Sequence, residues 1–169
     1  LSPTGFPRES ASIVKVGGVR TSFSMPEVLS LGLGGGSMVR QDGDIVTVGP
    51  ESVGYKLVED SLCFGGSVMT ATDIVVASGE DVGIVPQWKD GPPTEEVVKK
   101  ARAYMTKLLQ KGIDSMKTSD LDVVALLVGG GSIIQIDPLP NVRECMRVPF
   151  FDAANAVGAA IAKVSNLSD

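Results

Sequence analysis

The sequence predicts an α/β fold, and three observations carry that expectation. Two apolar runs each end in a glycine-rich knot, Gly32-Leu33-Gly34-Gly35-Gly36-Ser37 and Val128-Gly129-Gly130-Gly131-Ser132. A helical apolar period replaces β-like runs in the middle of the chain. The last third reads strand, knot, strand, helix, an order that builds a layered α/β domain. The 169 residues suffice for one compact domain with its own core, and 43% apolar with 21% charged residues suits a globular chain.

The elements follow in order. Residues 1–26 are rich in Pro, Gly and Ser, with one β-like run at Ala11–Val16. Val28-Leu29-Ser30-Leu31 reads as a short strand feeding the first knot. Met38-Val39-Arg40 and Asp44–Val48 flank Gln41-Asp42-Gly43, and Asp-Gly between apolar runs predicts a hairpin. Gly49-Pro50-Glu51-Ser52 reads as the turn that closes it. Ile74–Gly79 suits a short helix led by Thr70-Ala71-Thr72-Asp73. Gly91-Pro92-Pro93 breaks the chain before Thr94, an N-cap, and Glu95-Glu96 favour the positive end of a helix dipole. Val97, Ala101, Met105, Leu108 and Leu109 then share one face of a helix over 95–117, with Lys111-Gly112 as its stop or a kink. Lys99, Lys100, Arg102 and Lys107 face away from that stripe into solvent. Leu121–Val128 predicts a buried parallel strand and Val142–Pro149 a further short strand. Ala153–Val164 predicts a helix of small residues suited to close packing.

Composition excludes several functions. The net charge of −5 disfavours nucleic acid and anionic membrane surfaces. No apolar stretch approaches membrane-spanning length, and no signal peptide is visible, so a cytoplasmic location is expected. The chain has no histidine, which rules out Ser-His-Asp or Cys-His chemistry within it. Cys63 and Cys145 lack zinc or redox spacing and read as buried, inert thiols in a reducing compartment.

Candidate chemistry therefore rests on backbone and carboxylates. Three glycines after a strand let a phosphate or sugar reach backbone N–H groups, because no Cβ intervenes. Gly34, Gly35, Gly36 and Ser37 form one candidate, and Gly129, Gly130, Gly131 and Ser132 the other. Either could equally be a tight bend without a ligand. Neither is a Walker A loop or a G-x-G-x-x-G fingerprint. Asp73 is the acidic candidate, as a base or metal ligand or else as a capping carboxylate. Asp152 and Asn155 read as caps.

Seven segments in order resemble the hydantoinase/oxoprolinase family, of the large-subunit, hydantoinase A type. They are Val16–Thr21, then Met25–Val28 with Gly32–Ser37, Val48–Gly54, Leu62–Gly66, Thr70–Asp73, Val128–Ser132 and Ala154–Ala160. The resemblance implies part of an actin-like ATPase (ribonuclease H-like) domain, with a mixed sheet, flanking helices and a hairpin-rich N-terminal part. It implies ATP and Mg2+ as cofactors and a cyclic amide, of the hydantoin or 5-oxoproline type, as substrate. The reaction would be ring opening through carbonyl phosphorylation, with Gly129–Ser132 on the adenosine side and Gly34–Ser37 near the phosphates or substrate. The helix carrying Gly158 would be an interdomain connector. A second, B-type subunit or a second copy is the implied partner. The family's Asp-x-Gly-Gly-Thr phosphate loops are absent, and the chain does not start with Met. A distal portion of a longer ATPase domain, catalytically incomplete in isolation, is therefore expected over 1–169. A non-catalytic interaction module and a subunit of an ATP-dependent carboxylase are the alternatives.

Overall fold

The computed structural model describes residues 9–16, 19–118 and 122–161. Elements of both kinds are present, in two compact units divided between Ser30 and Leu31. The first unit holds an antiparallel pair, β1 (Glu9–Val16) and β2 (Val19–Pro26), in a register that sets Ser12 opposite Phe23. The predicted run at Ala11–Val16 lies within β1. Its partner went unpredicted, although Val19, Thr21, Phe23 and Met25 already alternate at the period of a strand.

One expected strand is absent where the two units divide. Val28–Leu31 forms no strand, and Val28 is 73% exposed. Leu31 lies over Gly112, where a Cβ would stand 2.7 Å from Leu Cδ1. The predicted hairpin is present as β3 (Ser37–Asp42) and β4 (Ile45–Ser52), with Val39 opposite Val48. Its turn is at Gly43-Asp44, and Gly43 takes a φ of +56°. Gly49–Ser52 is not the closing turn but the last half of β4. There the first knot presses on the strand: a Cβ on Gly49 would meet the Gly32 carbonyl oxygen at 2.3 Å.

Short helical turns lead through α1 (Leu57–Asp60) to α2 (Ala71–Ala77). Next comes α3 (Glu95–Met116), capped by Thr94, whose hydroxyl accepts the Val97 N–H at 3.4 Å. Val97, Ala101 and Met105 are buried as the periodicity predicts, while Leu108 and Leu109 are half-buried. Val97, Ala101 and Met105 close on Val46 and Val48 of β4 and on Ala71 and Ile74 of α2, which forms the core. Gly112 does not stop the helix, which runs on to Met116. It is buried, and its missing side chain is what admits Leu31. Of the outward cations, Lys100 pairs with Glu96 and Asp44, and Arg102 grips Asp137 with two bonds of 3.0 and 2.5 Å.

The C-terminal part holds β5 (Val123–Leu127), parallel to β6 (Val142–Arg147), and α4 (Ala154–Ile161). The parallel pairing is as predicted, but β5 is not fully buried: Leu126 is 48% exposed. Nor do the described strands join in one mixed sheet. They form three two-stranded sheets, because each strand pairs with its neighbour in sequence, where loop closure costs least entropy. Most residues of α4 are exposed, so its small side chains are not buried in the core among the described residues.

The core predicts a contrast measurable by urea unfolding. Met105→Ala should cost about 2–5 kcal/mol, whereas Lys107→Ala on the exposed side of α3 should stay within about 0.5 kcal/mol.

Candidate functional site

The site is built around the start of α2. Thr70 is its N-cap and Asp73 the third helical residue, a spacing that permits a reciprocal capping box. The structure places Asp73 in the capping role of its two readings. Its carboxylate is fully buried and accepts five hydrogen bonds. Oδ1 accepts from Ser61 Oγ and the Cys63 N–H, both at 2.7 Å. Oδ2 accepts from the Thr70 N–H at 2.7 Å, Thr70 Oγ1 at 2.9 Å and the Leu62 N–H at 3.3 Å. Five donors satisfy the charge of a buried carboxylate and occupy the lone pairs a base or metal ligand would need.

Cys63 belongs to the same cluster, with Sγ 3.3 Å from Ser61 Oγ. Burial, reinforced by the neighbouring Asp73 charge, pushes its thiol up to about 11. It is the inert buried thiol that the spacing suggested. Cys145 is half-buried, and burial raises its pKa too, against the lowering influence of Arg147.

Next to Asp73, Thr72 holds the first knot. Its N–H and its hydroxyl both donate to the Gly35 carbonyl, each at 3.0 Å. Inside the knot the Gly34 N–H donates to Ser37 Oγ at 2.9 Å, and the Ser37 N–H returns to the Gly34 carbonyl at 3.0 Å. The Gly36 carbonyl accepts from the Val53 N–H. The three glycines are consequently not equivalent. A Cβ at Gly35 would stand 2.9 Å from Thr72 Oγ1, and one at Gly36 would stand 2.8 Å from Ser52 Oγ. Those two are glycine because the knot is pressed against α2 and β4. Only at Gly34 is the space beside Cα open.

The second knot has the opposite character. Gly129 leaves β5 with a φ of +81°, and its N–H donates to the Phe151 carbonyl at 2.5 Å. Residues Gly130–Ile134 then wind into a 3-10 turn. Gly130 and Gly131 are exposed, and no atom lies within 4 Å of a Cβ built on either. Ser132 is buried, and its hydroxyl has no hydrogen-bond partner among the described residues. Tertiary packing draws the two knots toward α2. The 3-10 turn rests on that helix, and Ile133 Cδ1 comes 3.9 Å from the Cβ position of Gly35.

Asp152 acts locally, accepting the Ala153 N–H at 3.0 Å, while Asn155 is exposed on α4. A separate groove of 1210 Å3 runs along α3, lined by Lys99, Arg102, Thr106, Gln110, Asp137 and Pro140 among others. It includes neither knot. Sequence reasoning missed the Asp137 clamp on Arg102, since 35 residues separate the two and no local pattern joins them. Among the described residues no three acidic, Cys or His side chains gather as a metal site. No helix among them is long and apolar enough to cross a membrane.

The sequence profile of the hydantoinase/oxoprolinase family matches residues 7–116. That span contains the first knot, Asp73 and α3, and it ends before the second knot. No curated protein and no solved structure matches the chain.

Two outcomes are expected from this cluster. Asp73→Asn leaves the backbone donors of Leu62, Cys63 and Thr70 facing a neutral amide and should lower stability by about 3 kcal/mol or more in urea titrations. The Cys63 proton is held more tightly in the folded chain than in the unfolded one. The stability contributed by the Cys63 thiol should therefore be fully present at neutral pH and be lost from about pH 9 toward 11, by roughly 2–3 kcal/mol. Cys63→Ala should lose that component of the alkaline decline.

Proposed function

The chain belongs to the hydantoinase/oxoprolinase family, and from that premise we propose that it contributes nucleotide and substrate loops to an ATP-dependent cyclic-amide hydrolase. The observation that carries the proposal is the convergence of the two knots on α2, one braced and one open. On this reading the domain is a portion of an actin-like ATPase fold.

The residues present suit an adenine nucleotide at the second knot. Gly130 and Gly131 leave unobstructed backbone, and the unpartnered Ser132 hydroxyl supplies a donor or acceptor. The first knot suits a phosphate or the substrate carbonyl at its open end, Gly34. The described residues do not suit Mg2+, because they bring no carboxylate cluster together.

Bound ATP would supply the phosphoryl group that activates the amide carbonyl toward water; the ring C–N bond would then break with a proton passing to nitrogen, and phosphate would leave as the resulting acyl phosphate is hydrolysed. The part of this chain is positional. Thr72 and Asp73 hold the first knot in a single shape, so that no loop has to be ordered when substrate arrives. The knots themselves offer backbone groups and hydroxyls rather than a proton-transfer side chain. General acid–base catalysis is therefore assigned to residues outside them. The Asp-x-Gly-Gly-Thr loops that the family resemblance calls for are likewise needed from outside these 169 residues.

An ATPase assay of the full-length protein, with and without 5-oxoproline and hydantoins, tests the substrate class. Stimulation by a cyclic amide is expected. Turnover that responds to bicarbonate and a ketone instead would place the protein with the carboxylases, and no ATP turnover at all would leave an interaction module. Gly131→Val has room for its side chain and should preserve the melting temperature while raising the KM for ATP about tenfold or more.

A further inference from the structure

We infer that Arg147 is a positioning residue for the second knot, holding it in its nucleotide-binding shape from the neighbouring strand. This rests on the reading of Gly129–Ser132 as the nucleotide loop. The parallel register sets Arg147 of β6 beside Leu127, the last residue of β5 before the knot departs. From there its guanidinium reaches across the loop. Nη2 donates to the Ser132 carbonyl and to the Gln135 carbonyl, both at 3.1 Å.

Those carbonyls belong to the closing end of the 3-10 turn, where the Gln135 N–H also returns to Ser132 at 3.3 Å. A cation at the carbonyl end of a helical turn gives the Gln135 carbonyl a donor and the Ser132 carbonyl a second one, and it meets the negative end of the turn's dipole. The Gly129 N–H bond to Phe151 pins the other end of the knot. Between the two pins lie Gly130 and Gly131, whose side-chain-free backbone has no steric restraint of its own. A loop of that kind binds tightly only when something outside it removes its freedom, and Arg147 does so without lying among the open glycines. The planar guanidinium matters here, because one nitrogen must serve two carbonyls in a fixed direction.

The test uses the full-length protein, with ATP as the probe in titration calorimetry and amide hydrogen exchange as a second readout. Arg147→Ala should speed exchange at Ser132–Gln135 and weaken ATP binding about tenfold. Its KM for ATP should rise while kcat at saturating ATP holds, and Arg147→Lys should recover part of the affinity. Gly131→Val is the control for the loop itself. If it weakens ATP binding and Arg147→Ala does not, Arg147 has no positioning role and the nucleotide reading stands. If neither variant changes ATP binding, the nucleotide reading fails and this inference with it. Should Arg147→Ala not fold, Arg147→Gln carries the same comparison.

Discussion

The described part of the second unit depends on one buried carboxylate. Asp73 accepts five hydrogen bonds, and their donors come from two segments, Ser61–Cys63 and Thr70, that a Ser61–Thr70 hydroxyl contact of 3.2 Å also joins. A charge with no contact to water is tolerable only when it is fully bonded, so the arrangement is all or nothing. Once made, it sets where α2 begins. The start of α2 in turn directs the Thr72 N–H and hydroxyl at Gly35, and so decides the shape of the first knot. Ile74, one residue further on, reaches the core that α3 and β4 complete. A residue with the composition of a catalytic acid is thus employed as a joint.

That joint explains why two similar sequences became different objects. Gly35 and Gly36 are required by contact: their neighbours stand where a Cβ would be, and their carbonyls are committed to α2 and to the end of β4. Gly130 and Gly131 have no such neighbours and lie at the surface. The first knot is a packed junction with one open glycine. The second is an open loop held at its ends by Phe151 and Arg147. A braced loop beside an open one suits a site in which one element fixes geometry and the other accepts a ligand. The unpartnered Ser132 hydroxyl strengthens that division, since a buried hydroxyl without a partner is uncommon unless a ligand or water completes it.

Much of the fold was legible in the residues because its signals are local. The Asp-Gly hairpin, the Thr94 cap, the apolar face of α3 and the β5 run that ends in the second knot each depend on spacing over a few positions. The mistaken readings share the opposite property. Val28–Leu31 has strand composition, yet it has no strand partner among the described residues, and Leu31 makes a long-range contact with Gly112 instead. Gly49-Pro50 looks like a turn, but the first knot packs on it from 17 residues away and it stays in β4. Gly112 looks like a helix stop, but serves to admit that same leucine.

By itself, the sequence determined the alternation of strands and helices, the family, the absence of histidine chemistry and the places where backbone could meet a ligand. These are matters of residue type and short spacing, and hydrogen-bond periods and side-chain size enforce them. Only the tertiary structure decided what each candidate does. It buried Asp73 under five donors, separated packed glycines from open ones, and brought Arg147 across from β6 to the Ser132 carbonyl, 15 residues back along the chain. Those outcomes depend on which groups meet across long loops, and no local pattern encodes such a meeting.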